Sequence, residues 1–139
     1  MNVELLLKVK AHILEHPEEF DMNRWIVTGR NVQRTYRTRQ CGTVGCIAGT
    51  VAILDGWFPV ADSVHVDRIR GEEESRRSIP AAACEALDVS FREGSALFWV
   101  DDWPEPFRSR YENARTMQRR AQIAAERIDA FIASSCGVP

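Results

Sequence analysis

The sequence predicts an all-α protein: a single compact helical domain, residues 1–139, built around a buried central helix at about residues 44–55. Three observations predict this fold. The stretch from Cys41 to Leu54 carries no charge, apolar residues recur every three and four positions in the terminal segments, and serines stand where helices should begin. The pattern also allows a minor β-ribbon near residues 57–67.

The first predicted helix begins after Asn2, a good N-cap residue, and runs to about His16. Pro17 ends it, because the residue before a proline is driven out of the helical region. The apolar stripe of this helix is formed by Leu6, Val9 and Ile13, joined by Leu7 and Leu14.

The central helix is predicted to begin after Thr43, a favourable N-cap, and to end at Asp55-Gly56. It is apolar or small on every side, which is typical of a helix buried all round. Gly49 lies at helical spacing from other small residues, so another element can approach this backbone closely. We therefore predict that Gly49 is a packing residue. The segment is too short for a bilayer, which needs about 20 apolar residues.

The region after the central helix predicts little regular structure. Ser63 to Asp67 alternates like a short strand. Asp67 to Arg77 is dense in charge of both signs, and we predict an exposed, mobile loop there.

Three further helices are predicted in the C-terminal half. Ser78 caps a helix to about Leu87, and Ser90 with Glu93 forms a capping box for a helix through Phe98. A long terminal helix begins at about Phe107 or Glu112. Its stripe comprises Ala114, Met117, Ala121, Ala124, Ile128 and Phe131.

Composition limits the class of protein. With 45% hydrophobic and 27% charged residues, a chain of 139 residues can bury a core without disulfides or metals. A net charge of −2 argues against a dedicated nucleic-acid binder. Four irregularly spaced cysteines and an N-terminus without a signal-peptide pattern indicate a cytoplasmic protein with free thiols. We expect no cofactor and no membrane association.

The pair Cys41 and Cys46 offers the most specific local chemistry. Cys46 lies near the predicted start of the central helix, where the helix dipole favours a thiolate and lowers its pKa. Cysteine peptidases place a nucleophile in this way, and His65 beside Asp67 could act as the base.

The commoner role of such cysteines is structural, because free cysteine packs as a small buried hydrophobe. We therefore predict no catalytic residue, with Cys46, Cys41 and His65 as the catalytic alternative. The spacing also permits a disulfide between the two cysteines without requiring one. In the structural role, Cys46→Ser should be more destabilising than Cys46→Ala, since the hydroxyl lacks an obvious partner.

A metal site is suggested by His12 and His16, which stand one helical turn apart around Glu15 in the inverted zinc-protease pattern. Cys41 and Cys46 could complete four ligands. Their spacing is unusual for zinc, and one such pattern in a short chain is a weak signal. The prediction is two surface histidines and no metal.

Two segments are candidates for binding macromolecules. The basic segment could bind nucleic-acid phosphates or form a solvated loop; its candidate residues are Arg30, Arg34, Tyr36, Arg37 and Arg39. The aromatic and acidic segment from Phe98 to Tyr111 could contact a protein partner or pack within the core. Its candidate partner residues are Trp99, Asp101, Asp102, Trp103 and Phe107.

Several short motifs occur together in this chain. The pattern Cys-Gly-Thr-x-x-Cys-x-Ala-Gly covers Cys41–Gly49. It is preceded by Phe-Asp-Met at Phe20–Met22 and by Trp25. It is followed by Ala-Leu-Asp-Val at Ala86–Val89, by Leu97-Phe98 and by Trp103-Pro104. In them the chain resembles a family of short uncharacterised bacterial and phage proteins, many of which carry Trp or His in place of Thr50. The resemblance implies one packed unit and no particular activity.

The leading hypothesis is a non-enzymatic helical domain that acts through protein–protein contact, as an accessory or regulatory factor of a bacterium or mobile element. One alternative is a thiol-dependent hydrolase or transferase that uses Cys46 or Cys41. The other is nucleic-acid binding through the segment Arg30–Arg39.

Overall fold

A computed structural model describes residues 1–27, 44–60 and 64–135 of the protein. Helices dominate, and the strands form two small antiparallel sheets, β1–β2 and β3–β4–β5. The elements are α1 (Val3–Glu15), β1 (Ile26–Val27), β2 (Val44–Gly45), α2 (Ile47–Leu54), β3 (Phe58–Pro59), β4 (His65–Arg70), β5 (Glu73–Ser78), α3 (Ile79–Leu87), α4 (Phe91–Phe98), α5 (Phe107–Asn113) and α6 (Met117–Ser135), with 3₁₀ helices at Pro17–Glu19 and Val100–Asp102. A mainly helical fold with a minor β element is confirmed.

The core gathers around α2. Residues 47–52 of this helix are all buried, and α2 packs against α1 and α3. The predicted end at Asp55-Gly56 is confirmed, because Asp55 is the C-cap and Gly56 adopts a φ of 94°. A buried central helix is therefore confirmed.

The start of α2 differs from the prediction. Cys46, and not Thr43, is the N-cap, and its Sγ accepts the Gly49 N–H at 3.4 Å. The preceding residues Val44 and Gly45 pair with β1, which keeps the chain extended up to Cys46 and delays the helix to Ile47. Thr43 lies outside the described residues.

Helix α1 begins and ends as predicted. The Asn2 side chain accepts the Leu5 N–H at 3.0 Å, and His16 is the C-cap before Pro17. The predicted stripe is only partly right. Leu5, Leu6, Val9 and Ile13 are buried, whereas Leu7 and Leu14 are 48% and 43% exposed. Each of these two leucines follows a buried residue directly, which turns it about 100° away from the stripe on the helix.

The charged segment 67–77 is not a loop but most of a β-hairpin. Strands β4 and β5 place Asp67 opposite Arg76 and Arg70 opposite Glu73, so oppositely charged residues face each other across the ladder. Arg76 Nε donates to Asp67 at 2.7 Å, and Gly71, with a φ of 63°, forms the turn. The charge density correctly predicted that this segment is exposed, but the prediction of an irregular backbone is wrong. The strands also extend well beyond the predicted ribbon.

The three C-terminal helix predictions met different outcomes. Helices α3 and α4 have the predicted bounds, and the Ser90 capping box is present. The single terminal helix is wrong, because the chain is extended at Ala114 and restarts as α6. Thr116 explains the restart: its hydroxyl accepts the Arg119 N–H at 3.1 Å, as an N-cap does. Met117 is 55% exposed, so it lies off the predicted stripe.

Within residues 1–27, 44–60 and 64–135, no helix combines the length and apolar character that crossing a membrane requires.

Candidate functional site

Two half-buried tryptophans form a cleft in the surface. The rings of Trp25 and Trp99 meet edge to face with centroids 5.2 Å apart. The space they border measures about 240 Å³ and is open to solvent. This tryptophan cleft is lined by Met22, Asn23, Arg24, Trp25, Phe98, Trp99, Val100 and Asp101.

The first wall, Trp25, is positioned by the start of α2. The Cys46 N–H donates to the carbonyls of Arg24 at 2.8 Å and Trp25 at 3.3 Å, and the Cys46 thiol donates to the Trp25 carbonyl at 3.8 Å. A Cβ on Gly49 would overlap that carbonyl oxygen and lie 2.8 Å from Ile26 Cγ1. Gly49 is therefore the point where the backbone of Trp25, immediately before β1, crosses α2.

The second wall, Trp99, is positioned by the end of α4. It is the C-cap of α4, and a 3₁₀ helix follows immediately. Trp103 closes this turn from inside, because its Nε1 donates to the Leu97 carbonyl at 2.8 Å. The Phe91 ring lies 6.0 Å from the Trp99 ring and is 57% exposed, so it extends the apolar surface beyond the cleft.

Among the described residues around the cleft, carboxylates outnumber basic groups. Asp101 and Asp102 are exposed on the 3₁₀ helix, and within the part of the chain that the structure describes neither has an ion pair. Arg24 is the basic residue of the lining, and its guanidinium lies 3.5 Å from Asp21. Among the described residues at the rim, Asp21, Asp101 and Asp102 outnumber Arg24, so this part of the rim carries a net negative charge.

The predicted partner residues divide into two groups. Trp99 and Asp101 line the cleft, and Asp102 follows them on the same turn. Trp103 is 2% exposed and belongs to the core, so it does not offer a surface for a partner. Phe107 is half-buried with its ring 6.0 Å from the Arg127 guanidinium, outside the cleft lining.

Sequence reasoning missed Trp25, Met22 and Phe91. Trp25 meets Trp99 although the two residues are more than 70 positions apart in the sequence, and no local pattern reveals such a contact. For Met22 the position is set by a distant contact, since its N–H donates to the Tyr111 hydroxyl at 3.2 Å.

The Cys46 thiol does not have the properties of a nucleophile. It is 1% exposed, and burial raises its pKa from an ordinary 9.0 to about 12 despite the Gly49 N–H that it accepts. The predicted lowering of this pKa by the helix dipole is wrong, because loss of solvent outweighs the dipole. Its hydrogen-bond partners are backbone groups of Trp25 and Gly49, and His65 stands on β4 opposite Ser78.

The capping role of Cys46 reverses the substitution order expected from sequence. A serine at this position would retain an acceptor for the Gly49 N–H and a donor for the Trp25 carbonyl. Alanine would remove the cap, which typically costs about 1 kcal/mol. Urea denaturation at pH 7 should therefore find Cys46→Ala less stable than Cys46→Ser. Cys84, which is buried inside α3 and is not a cap, serves as the matched control site.

If alanine proves as stable as serine at position 46, Cys46 does not act as a cap. At position 84 the alanine variant should not show the same deficit relative to serine.

Some predicted sites lie outside the described residues. These are Cys41 and the basic candidates Arg30, Arg34, Tyr36, Arg37 and Arg39. The histidine pair is described: His12 and His16 lie together, but their carboxylate neighbour is Glu19 and not Glu15 of the sequence pattern.

Parts of two sequence motifs adjoin the tryptophan cleft: Gly45 and Cys46 contact the Trp25 backbone, while Leu97 and Phe98 lead into Trp99. No family model, curated protein sequence or solved structure matches this chain.

Proposed function

We propose that this protein is a non-enzymatic binding domain, an accessory or regulatory factor that acts through protein–protein contact. The tryptophan cleft receives an apolar side chain of a partner segment, and the acidic rim contacts a lysine or arginine beside it. The observation that carries this proposal is the pair of half-buried tryptophans, Trp25 and Trp99, open to solvent on one side.

The energetics of such a surface favour binding. Tryptophan is enriched among the residues that dominate protein–protein affinity, because one ring removes a large apolar area from water while losing little conformational freedom. Trp99 already contacts Trp25, Phe98 and Phe91, so its ring is held in place before a partner arrives. A preorganised ring reduces the entropy lost on binding.

Charge selects the kind of partner. Asp101 and Asp102 are exposed beside the cleft, whereas Arg24 is paired with Asp21. A segment with a basic residue next to its apolar anchor gains attraction at this rim, and an acidic segment is repelled. The partner is thus a basic, apolar peptide segment.

The burial of Cys46 favours a function in protein–protein contact over thiol-dependent catalysis. A thiol with a pKa of about 12 holds almost no thiolate near neutral pH, and the nucleophile in thiol catalysis is the thiolate. The proposal therefore gives Cys46 the role of holding Trp25.

Selection from a random peptide library on the folded protein tests this proposal. We expect the enriched peptides to share an aromatic or aliphatic residue adjacent to lysine or arginine. Fluorescence polarisation should then show binding at least about tenfold weaker to Trp99→Ala, equivalent to about 1.4 kcal/mol. The double variant Asp101→Asn, Asp102→Asn should also weaken binding, and more so at low salt.

Matched controls stand elsewhere on the surface. Leu7→Ala removes an exposed apolar side chain from α1, and Glu112→Gln removes an exposed charge from α5. Both should bind the selected peptides as the unsubstituted protein does. Peptides that bind Trp99→Ala with undiminished affinity, or a selection without a common apolar and basic pattern, would contradict the proposal.

A further inference from the structure

The end of α1 and the following 3₁₀ helix bring three metal-ligating side chains together. His12 lies in the last turn of α1, His16 is its C-cap, and Glu19 ends the 3₁₀ helix. One ligand atom from each residue lies within 4.8 Å of the other two. Glu19 Oε2 is 3.2 Å from His12 Nε2 and 3.8 Å from His16 Nδ1.

Backbone geometry explains the arrangement. Two residues four apart on a helix face the same side, which places the imidazoles one above the other with ring centroids 4.8 Å apart. Pro17 ends α1 and begins the 3₁₀ helix, and the tight turn returns the chain so that Glu19 faces the histidines. Glu15, the carboxylate of the sequence pattern, is exposed and is not part of this cluster.

The surroundings suit a cation that keeps one open position. The side chains of His12 and Glu19 are only 17% and 14% exposed, whereas His16 is 46% exposed. Two ligands are thus shielded from competing water, and the third faces solvent. Glu18, with an oxygen 3.5 Å from His16 Nδ1, adds negative charge next to the cluster.

We propose that His12, His16 and Glu19 bind a divalent transition-metal ion, with Zn²⁺ the best match to two imidazoles and one carboxylate. Three protein ligands leave the fourth tetrahedral position to water or another ligand. Zinc bonds of about 2.0–2.1 Å place ligand atoms roughly 3.4 Å apart. The separations of 3.2 Å and 3.8 Å to Glu19 lie close to that value, and the ligand nitrogens of the two histidines lie within 4.8 Å of each other.

The proposal is tested with ZnCl₂ and CoCl₂ on the untagged, reduced, full-length protein. Isothermal titration calorimetry should give one Zn²⁺ per chain, and Zn²⁺ should raise the Tm, because an ion that binds only the folded state stabilises it. Co²⁺ should give visible absorption of tetrahedral nitrogen and oxygen ligation. It should lack the near-ultraviolet charge-transfer band of thiolate ligation.

Two ligand variants identify the site. Changes in the outer shell of a metal site typically cost 10–100-fold in affinity, so loss of a ligand in His16→Ala or Glu19→Gln should weaken Zn²⁺ binding at least about tenfold. Glu15→Gln is the matched control for the carboxylate and His65→Asn for the histidine, and neither should change affinity. Circular dichroism confirms that each variant is folded before its affinity is compared.

Three results would overturn the proposal: no saturable Zn²⁺ binding below millimolar concentration, undiminished binding by Glu19→Gln, or loss of binding in Glu15→Gln instead. The first would leave His12 and Glu19 as a structural ion pair alone. The last would assign the metal to the inverted zinc-protease pattern.

Discussion

Gly49→Ala should destabilise the protein severely, although it adds a single methyl group. The added Cβ would overlap the Trp25 carbonyl oxygen and lie 3.0 Å from the Trp25 carbonyl carbon. Both atoms belong to backbone, so relief requires β1 and α2 to separate. We expect the free energy of unfolding to fall by an amount at or above the top of the range of about 1–3 kcal/mol for overpacked cores. Urea denaturation measures this loss.

Gly94→Ala provides the matched control. Its Cβ would lie 2.5 Å from Cys84 Sγ and 2.9 Å from Phe98 Cε2, which belong to side chains, so relief requires shifts of these side chains and not the separation of two backbone segments. Alanine also stabilises a helix interior by about 1 kcal/mol relative to glycine, which offsets part of the cost on α4. Gly49→Ala should therefore be much the more damaging of the two. Equal urea midpoints for Gly49→Ala and the unsubstituted protein would remove Gly49 as the crossing point of β1 and α2.

The substitution Gly49→Ala should also weaken peptide binding. Separation of β1 from α2 moves Trp25, one wall of the tryptophan cleft, and the selected peptides would lose part of their contact. Near-UV circular dichroism of the tryptophans should detect this change in a folded fraction of Gly49→Ala.

Alkaline pH should destabilise the protein through Cys46. Well below pH 9 this thiol is protonated in both the folded and the unfolded state. Between pH 9 and about 12 the unfolded chain loses the proton while the folded protein retains it, so the free energy of unfolding falls as the pH rises. The slope approaches roughly 1.4 kcal/mol per pH unit where the unfolded chain has lost the proton and the folded protein still holds it.

Cys46→Ser isolates this contribution, since a hydroxyl does not titrate there and the cap is retained. Burial also raises the pKa values of Tyr111 and Cys84, so the serine variant should still lose some stability at high pH. Urea denaturation at pH 8, 9, 10 and 11 should show the two proteins' stabilities converging toward, or crossing in favour of, the serine variant. Parallel pH profiles would mean that the Cys46 thiol ionises as readily in the folded protein as in the unfolded chain.

The features of the fold that depend on neighbouring residues, such as the starts of helices, could be predicted from sequence. Asn2, Ser78 and Ser90 mark helix starts because each cap hydrogen-bonds a backbone N–H only three residues away. The uncharged segment predicted a buried helix because no charged side chain interrupts it. These signals require no knowledge of distant residues.

Predictions failed where a distant partner decides the outcome. Val44 and Gly45 pair with β1, so the helix starts later than Thr43 suggests. The charged segment folds as a hairpin in which Asp67 lies opposite Arg76, and charge pattern alone does not distinguish such a ladder from a solvated loop. One failure had a local cause. Thr116 is a cap residue that indicates a helix start before α6, but the apolar periodicity continues across this position and favours one unbroken helix.

The candidate sites show the same division. Sequence alone determined that Trp99 is an aromatic residue among acids and that His12 and His16 share a helix face, because both facts follow from spacing along the chain. Only the tertiary structure decided that Trp25 stands against Trp99, that Trp103 is buried and that Glu19 replaces Glu15 beside the histidines. The physical reason is that the helical repeat determines which side of a helix a residue faces, whereas packing between separate elements determines which side chains it contacts there.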